Sequence, residues 1–258
     1  MITLKSDLYD IYLSLRFELT KHMRRKRLLI VGAIAILVPL LIGYLGYYAS
    51  DFYTVEILAS SSLGFITLLV IIAGAMFAGD AISGEIAKKT GLLLFPTPQK
   101  RFSIIAGKYI AALTATIFVV SIYYVILTIQ IIHLFGAGEL SIALAKSYLI
   151  AILFAGSIVS LFYFFSSLLK GTTAPSLIGF FFILMILPIF SGILMLCDID
   201  PWFIVTTQAG LITQVFGVSG MMGEQVQLSF GSGIAVMIVY ALAFFFTGAF
   251  IASRKNME

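Results

Sequence analysis

Residues 109–132 read YIAALTATIFVVSIYYVILTIQII, 24 positions without one Asp, Glu, Lys or Arg. At about 1.5 Å of rise per residue, a helix of that length crosses a hydrocarbon core of roughly 30 Å. Only a helix satisfies every backbone N–H and C=O within such a segment. Five further runs have the same character: Leu28 to Tyr48, Ile57 to Gly79, Ser147 to Leu169, Thr173 to Leu196 and Gly231 to Ala252. The sequence therefore predicts an all-α membrane protein, a single transmembrane domain over 1–258 with six spanning helices.

Composition agrees with this. The chain is 61% hydrophobic and 11% charged, and its six spans and their connections nearly use up 258 residues, leaving no room for a folded soluble domain. Its mean hydropathy is +1.11. Charge then orients the spans. Fifteen of the 16 Lys and Arg residues fall on one side, Lys146 being the exception. By the positive-inside rule both termini are expected in the cytoplasm. The formal charge of +4 is read as meeting lipid head groups rather than nucleic acid. The opposite loops carry Asp51, Glu56, Glu139, Asp198, Asp200 and Glu224. No cleavable signal is expected, since more than twenty mostly polar residues precede the first span. A lone cysteine, Cys197, allows no intrachain disulfide.

Ahead of the first span, over 1–27, Leu4, Leu8, Ile11, Leu15 and Leu19 recur at three- and four-residue spacing, with Lys5, Asp7, Asp10, Arg16 and Glu18 at other angles. This predicts an amphipathic helix in the cytoplasmic interface, with a solvent-exposed helix bearing an incidental stripe as the alternative. The connection 80–108 predicts a short helix from Asp80 to Lys89, a stop at Thr90-Gly91, an apolar run Leu92 to Phe95, and a break at Pro96-Thr97-Pro98 before the next helix. Two readings of Leu92 to Phe95 stand side by side, a dip into the interface or a knob presented to a partner. The segment 197–230 is too apolar for an ordinary loop and too interrupted to span. It predicts a pair of short re-entrant or interfacial helices, with a surface helix covering the bundle as the alternative.

The chemistry that is missing narrows function. A charge at the bilayer centre costs at least about 2.5 kcal/mol and is kept chiefly where ions or protons move, and these spans hold none. Two histidines, His22 and His133, lack carboxylate or cysteine partners at helical spacing, so no catalytic or metal site is expected. No G-x-x-x-x-G-K-[ST] motif cradles a nucleotide, so energy for directional work must come from another subunit. Polar side chains that remain form stripes: Thr114, Ser121, Tyr124 and Thr128 on the third span, Ser157 and Ser160 on the fourth. They either line a substrate path or, as hydroxyls in membranes more commonly do, bond neighbouring helices at about 0.6 kcal/mol each. Pro39 and Pro188 interrupt spans and predict kinks near Ala35 and Leu184, Pro188 being a hinge candidate.

The run Gly79-Asp80-Ala81-Ile82-Ser83-Gly84-Glu85, followed by Lys88-Lys89-Thr90-Gly91-Leu92, Pro96, Lys100-Arg101 and Gly107-Lys108, resembles the ABC-2 type permease family, the membrane subunits of ATP-binding-cassette exporters. Thr90-Gly91-Leu92 stands where that family often has Gly-Thr-Leu. The resemblance implies a homodimer or a pair with a related permease, docked on separate ATPase chains that hold ATP and Mg. It further implies a cytoplasmic coupling helix at Asp80 to Lys89. Asp80, Gly84, Glu85, Lys88, Lys89, Gly91 and Arg101 would belong to the ATPase contact, with Leu92 and Phe95 as its apolar part. Two rival functions are a passive or ion-driven carrier and a membrane scaffold or maturation subunit that moves nothing.

Overall fold

The computed structural model describes residues 2–49, 54–87, 101–136, 138, 142–216 and 229–254. Among these, every regular element is helical. They are α1 (Ile2–Arg24), α2 (Arg27–Ala49), α3 (Val55–Phe77), α4 (Ser83–Ala87), α5 (Arg101–Phe135) and α6 (Ile142–Leu168). Next come α7 (Ala174–Phe181), a π-helical turn (Phe182–Ile186), α8 (Leu187–Leu196), α9 (Val205–Gln208), α10 (Leu211–Gln214) and α11 (Phe230–Arg254). Six helical segments are long and apolar enough to cross a membrane: α2, α3, α5, α6, α7 through α8, and α11. Each contains nearly all of one uncharged run, because absence of charge is what lets a helix lie in hydrocarbon.

Burial sorts the six. More than half of α3 and α6 and half of α5 are enclosed, whereas less than a third of α2, the α7–α8 span and α11 is, and these expose many apolar side chains. The core thus lies where α3, α5 and α6 meet, around Leu63, Ile66, Tyr123, Leu127, Phe154 and Phe162. Close approach depends on small residues. A Cβ on Gly74 of α3 would stand 2.8 Å from the Phe162 ring, and one on Gly179 of α7 would stand 2.9 Å from it. Phe162 therefore inserts between two helices that only glycine brings near enough.

Three members of the hydroxyl stripes, Ser121, Tyr124 and Ser160, bond across to a neighbouring helix. Ser121 bonds the Tyr148 hydroxyl at 2.7 Å, Tyr124 bonds Ser147 at 2.7 Å, and Tyr109 bonds Ser160 at 2.9 Å, fastening α5 to α6 along its length. Thr128 and Ser157 donate to carbonyls of their own helices. Of the six residues read as a substrate path, Thr114 alone is exposed, and its hydroxyl donates to the Ile110 carbonyl.

Pro188 lies in the first turn of α8, directly after the π-helical turn, in which the Leu187 N–H reaches back to the Phe182 carbonyl. A proline without an N–H disrupts the four-residue ladder, and the five-residue turn is the local adjustment. The irregularity includes Leu184, as the sequence predicts. Pro39 leaves α2 continuous. In the segment 197–230, α9 and α10 are four residues each and pack inward: Leu211 and Ile212 are fully buried, and Ser147 donates to the Ile212 carbonyl at 2.7 Å. Residues 217–228 lie outside the described residues.

Candidate functional site

One end of the bundle gathers α1, α4 and the ends of several spans around buried charge. Lys108, in the second turn of α5 and 5% exposed, is its hub. Its ammonium reaches Glu18 Oε1 of α1 at 3.2 Å, pairs with Glu85 of α4, and approaches the Ala81 carbonyl at 3.4 Å. Glu18 is shared with Lys21 at 2.8 Å. A second pair lies beside it. Arg27 at the start of α2 grips Asp80 with both guanidinium nitrogens, at 2.7 and 2.8 Å, and donates to the Met76 carbonyl at the end of α3. Arg25 stands 3.6 Å from the same carboxylate. The fork geometry of Arg on a carboxylate fixes direction as well as distance, so Asp80 locks α2 to the turn that leaves α3.

The turn itself is held from the other side. Ser166 of α6 accepts the N–H groups of Ile82 at 3.0 Å and Ser83 at 3.2 Å, capping the start of α4. Tyr163 of α6 is fully buried and donates to the Ile105 carbonyl of α5 at 2.7 Å. Ala81, Ile82, Ile105, Tyr163 and Ala249 of α11 form a small apolar cluster beneath the charges. Water is kept from Lys108 and Glu18, each 5% exposed, which strengthens their pair and makes each charge dependent on its partner.

Burial pushes the Glu18 carboxyl upward, but Lys108 and Lys21 together outweigh it and hold it below the ordinary carboxylate range. Asp80 behaves likewise: burial raises it, and Arg27 chiefly pulls it below its ordinary value. His22 of α1 is 4% exposed, lies edge-on to Phe77 with ring centroids 5.1 Å apart, and has a buried Nδ1 without a partner among the described residues. Burial lowers its pKa to about 4. It is therefore neutral at pH 7, a small wedge between α1 and the end of α3.

Contact between α1 and α5 requires Gly107. A Cβ there would stand 2.6 Å from Ser14 Cβ and 2.8 Å from the Ile11 carbonyl oxygen. Gly107→Leu is expected to push α1 away and destabilise the chain by about 1 to 3 kcal/mol, the usual cost of overpacking. Gly84→Ala, whose Cβ would rest 3.5 Å from Asp80, is expected to change stability by less than about 0.5 kcal/mol. Thermal unfolding of the purified variants checks both.

Of the residues read from the sequence as an ATPase contact, Asp80, Gly84 and Glu85 come together here. Asp80 and Glu85 spend their charges inside the chain, on Arg27 and Lys108. Arg101 opens α5. Lys88, Lys89, Gly91, Leu92 and Phe95 lie outside the described residues. Within the short helix expected from Asp80 to Lys89, the described residues 80–87 form a turn followed by α4. Sequence reasoning missed Glu18, His22 and Lys108 as members of the junction. It set Glu18 on the polar side of α1, where the structure buries it. Of the Leu/Ile stripe, Ile11, Leu15 and Leu19 are half-buried, and the backbone at Ile11 and Leu15 faces Gly107 of α5. A usable signal existed, since Asp80, Glu85 and Glu18 adjoin spans among many cations, where a carboxylate needs a fixed partner.

Against models of known families, residues 14–186 match the one described as ABC-2 family transporter protein. No curated protein matches the chain.

Proposed function

Starting from the fact that this chain belongs to the ABC-2 family of transporter proteins, we propose that it is the membrane-spanning subunit of an ATP-binding-cassette exporter, working as a homodimer or beside a related permease. It is a multi-pass membrane protein with six helices able to span. In this reading it catalyses no reaction; ATP and Mg are held by separate ATPase chains. The charged end faces the cytoplasm of the cell membrane, with both termini on that side. Asp80 to Lys89, which includes α4, and the turn that follows form the element that enters a cleft of the ATPase.

The observation that carries the proposal is the sharing of Lys108. One ammonium links α1 through Glu18, α4 through Glu85, and the third span directly. Asp80 adds the first span through Arg27, and Ser166 adds the fourth. A push on α4 is thus delivered to several spans at once rather than absorbed by a loose loop. Bistable packing then converts the displacement into a change of helix arrangement. No carboxylate or ammonium lies at mid-span to bind a driving ion, which speaks against the ion-driven carrier.

Reconstitution with the cognate ATPase tests the reading. Leu92→Asp with Phe95→Asp is expected to abolish transport-linked ATP hydrolysis while leaving the permease folded, because charge placed in an apolar contact desolvates without a partner. Unchanged hydrolysis would refute the coupling role. Stable co-purification with an ATPase whose turnover no solute stimulates would instead support a scaffold.

A further inference from the structure

Helix α1 has two apolar faces, and the structure covers only one. Its inner face, with Ile11, Leu15, Glu18 and His22, is turned to α5 and Phe77. Its outward face carries Tyr9, Tyr12, Leu13, Phe17 and Met23, all exposed, at the three- and four-residue spacing of one helical surface. Arg16 and Arg24 share that surface and Lys26 follows it; all three are exposed, and none makes an ion pair with a described residue. Of the carboxylates among the described side chains of α1, Glu18 lies on the inner face, and Asp10, seven residues before Phe17, borders the outward one. Glu18 is buried and Asp10 half-buried.

The position of this face decides what it meets. Two residues, Arg25 and Lys26, separate α1 from α2, and Lys26 takes the left-handed conformation at φ 56° to reverse the chain. α1 touches α5 at Gly107 and Lys108, immediately before the uncharged run that begins at Tyr109. Both attachments hold α1 where hydrocarbon gives way to head groups. Past the turn, the exposed apolar surface continues through Leu29 and Ile30 of α2. Tyrosines set among apolar side chains, with arginines alongside, suit that boundary: rings enter the acyl edge and cations meet phosphates.

We infer that the outward face of α1 is a binding surface for anionic phospholipid. Phe17, Leu13 and Met23 embed in the acyl boundary, and Arg16, Arg24 and Lys26 take the negatively charged head groups. Because Glu18 on the opposite face holds Lys108, lipid bound to α1 also bears on the junction. The inference rests on the chain spanning a membrane, not on the presence of an ATPase.

The full chain, purified in detergent, is titrated with phosphatidylglycerol and with phosphatidylcholine, and bound lipid is counted by native mass spectrometry. Preferential retention of phosphatidylglycerol is expected. The combined variant Arg16→Gln, Arg24→Gln, Lys26→Gln is expected to lose at least about five-fold in that preference, the effect of one surface cation. Lys170→Gln with Arg254→Gln, which removes cations elsewhere, should leave it unchanged. Equal loss in both sets would mean that only overall charge matters, and no loss in either would mean no site; each overturns the inference. Retained lipid preference in the triple variant with loss of a co-purifying protein would assign the face to that protein, and overturns it too. Should the triple variant not fold, Arg24→Gln alone carries the comparison. As no ATPase is in the assay, its outcome is independent of the transport reading.

Discussion

Lys108→Met is expected to destabilise the chain by about 3 to 5 kcal/mol, the loss that follows when one partner of a buried ionic group is removed. The cost arises from what stays behind. Glu18 is buried and Glu85 largely so, and both lose the cation that stands between them. Lys21 still reaches Glu18, but nothing among the described residues replaces Lys108 at Glu85. Neutralising the carboxylates as well, with Glu18→Gln and Glu85→Gln on the Lys108→Met background, should recover most of the stability, since a buried ionic cluster exchanged for neutral groups is often nearly neutral in energy. Thermal unfolding of the detergent-purified variants measures this. A single Lys108→Met variant as stable as the parent would remove the hub from the account. The stable triple variant then asks a separate question of the reconstituted transporter. If it folds yet no longer couples hydrolysis to transport, the charges transmit force; if coupling survives, they serve stability alone.

Spans were legible because a single property decides them. An uncharged run of twenty or more residues has one stable fate in lipid, and each predicted run falls within or close to one helical segment. Pro188 was legible for the same local reason: a missing N–H must distort its own helix, and it does so at Phe182–Ile186. Hydroxyls on α5 and α6 were legible as a stripe but not as pairs. Only the structure shows Tyr124 meeting Ser147 and Tyr109 meeting Ser160.

The junction was illegible because its members are scattered over 90 residues of sequence, from Glu18 to Lys108. No periodicity links them; topology does, by bringing the end of one span beside the beginning of another. Which face of helix α1 packs inward was illegible for a related reason. Apolar residues occur around much of its circumference, so spacing alone does not choose among them. Gly107 does. A glycine in α5 offers a place where another backbone can approach, and Ile11, Ser14 and Leu15 occupy it. Ile11, Leu15 and Leu19 of the stripe are half-buried by packing, while Leu8 and the aromatic face are left for the environment.

His22 gives the junction an acid limit that sets in at higher pH than the one its ion-paired carboxylates impose. Its pKa is lowered by burial to about 4, against an ordinary value of 6.5. Between these values the unfolded chain binds a proton that the folded chain refuses, so stability is full above pH 6.5 and falls as pH drops toward 4. The expected loss is about 2 kcal/mol at pH 5 and about 3 kcal/mol near pH 4. Its charged neighbours do not reverse the sign. Glu18 and Asp80 favour the protonated ring, Lys21 and Arg27 oppose it, and burial exceeds them all. Both carboxylates are themselves held below their ordinary values of 4.5 for Glu18 and 3.8 for Asp80, so the stability they contribute is lost as pH falls through and below those values, beneath the pH 5 at which the histidine is tested. His22→Phe keeps an aromatic ring against Phe77 and removes the unpartnered Nδ1, so its melting temperature should vary little between pH 7 and pH 5 while the parent's declines. A parent equally stable at both values, or a phenylalanine variant that declines just as far, would mean that the wedge between α1 and α3 is not what acid opens.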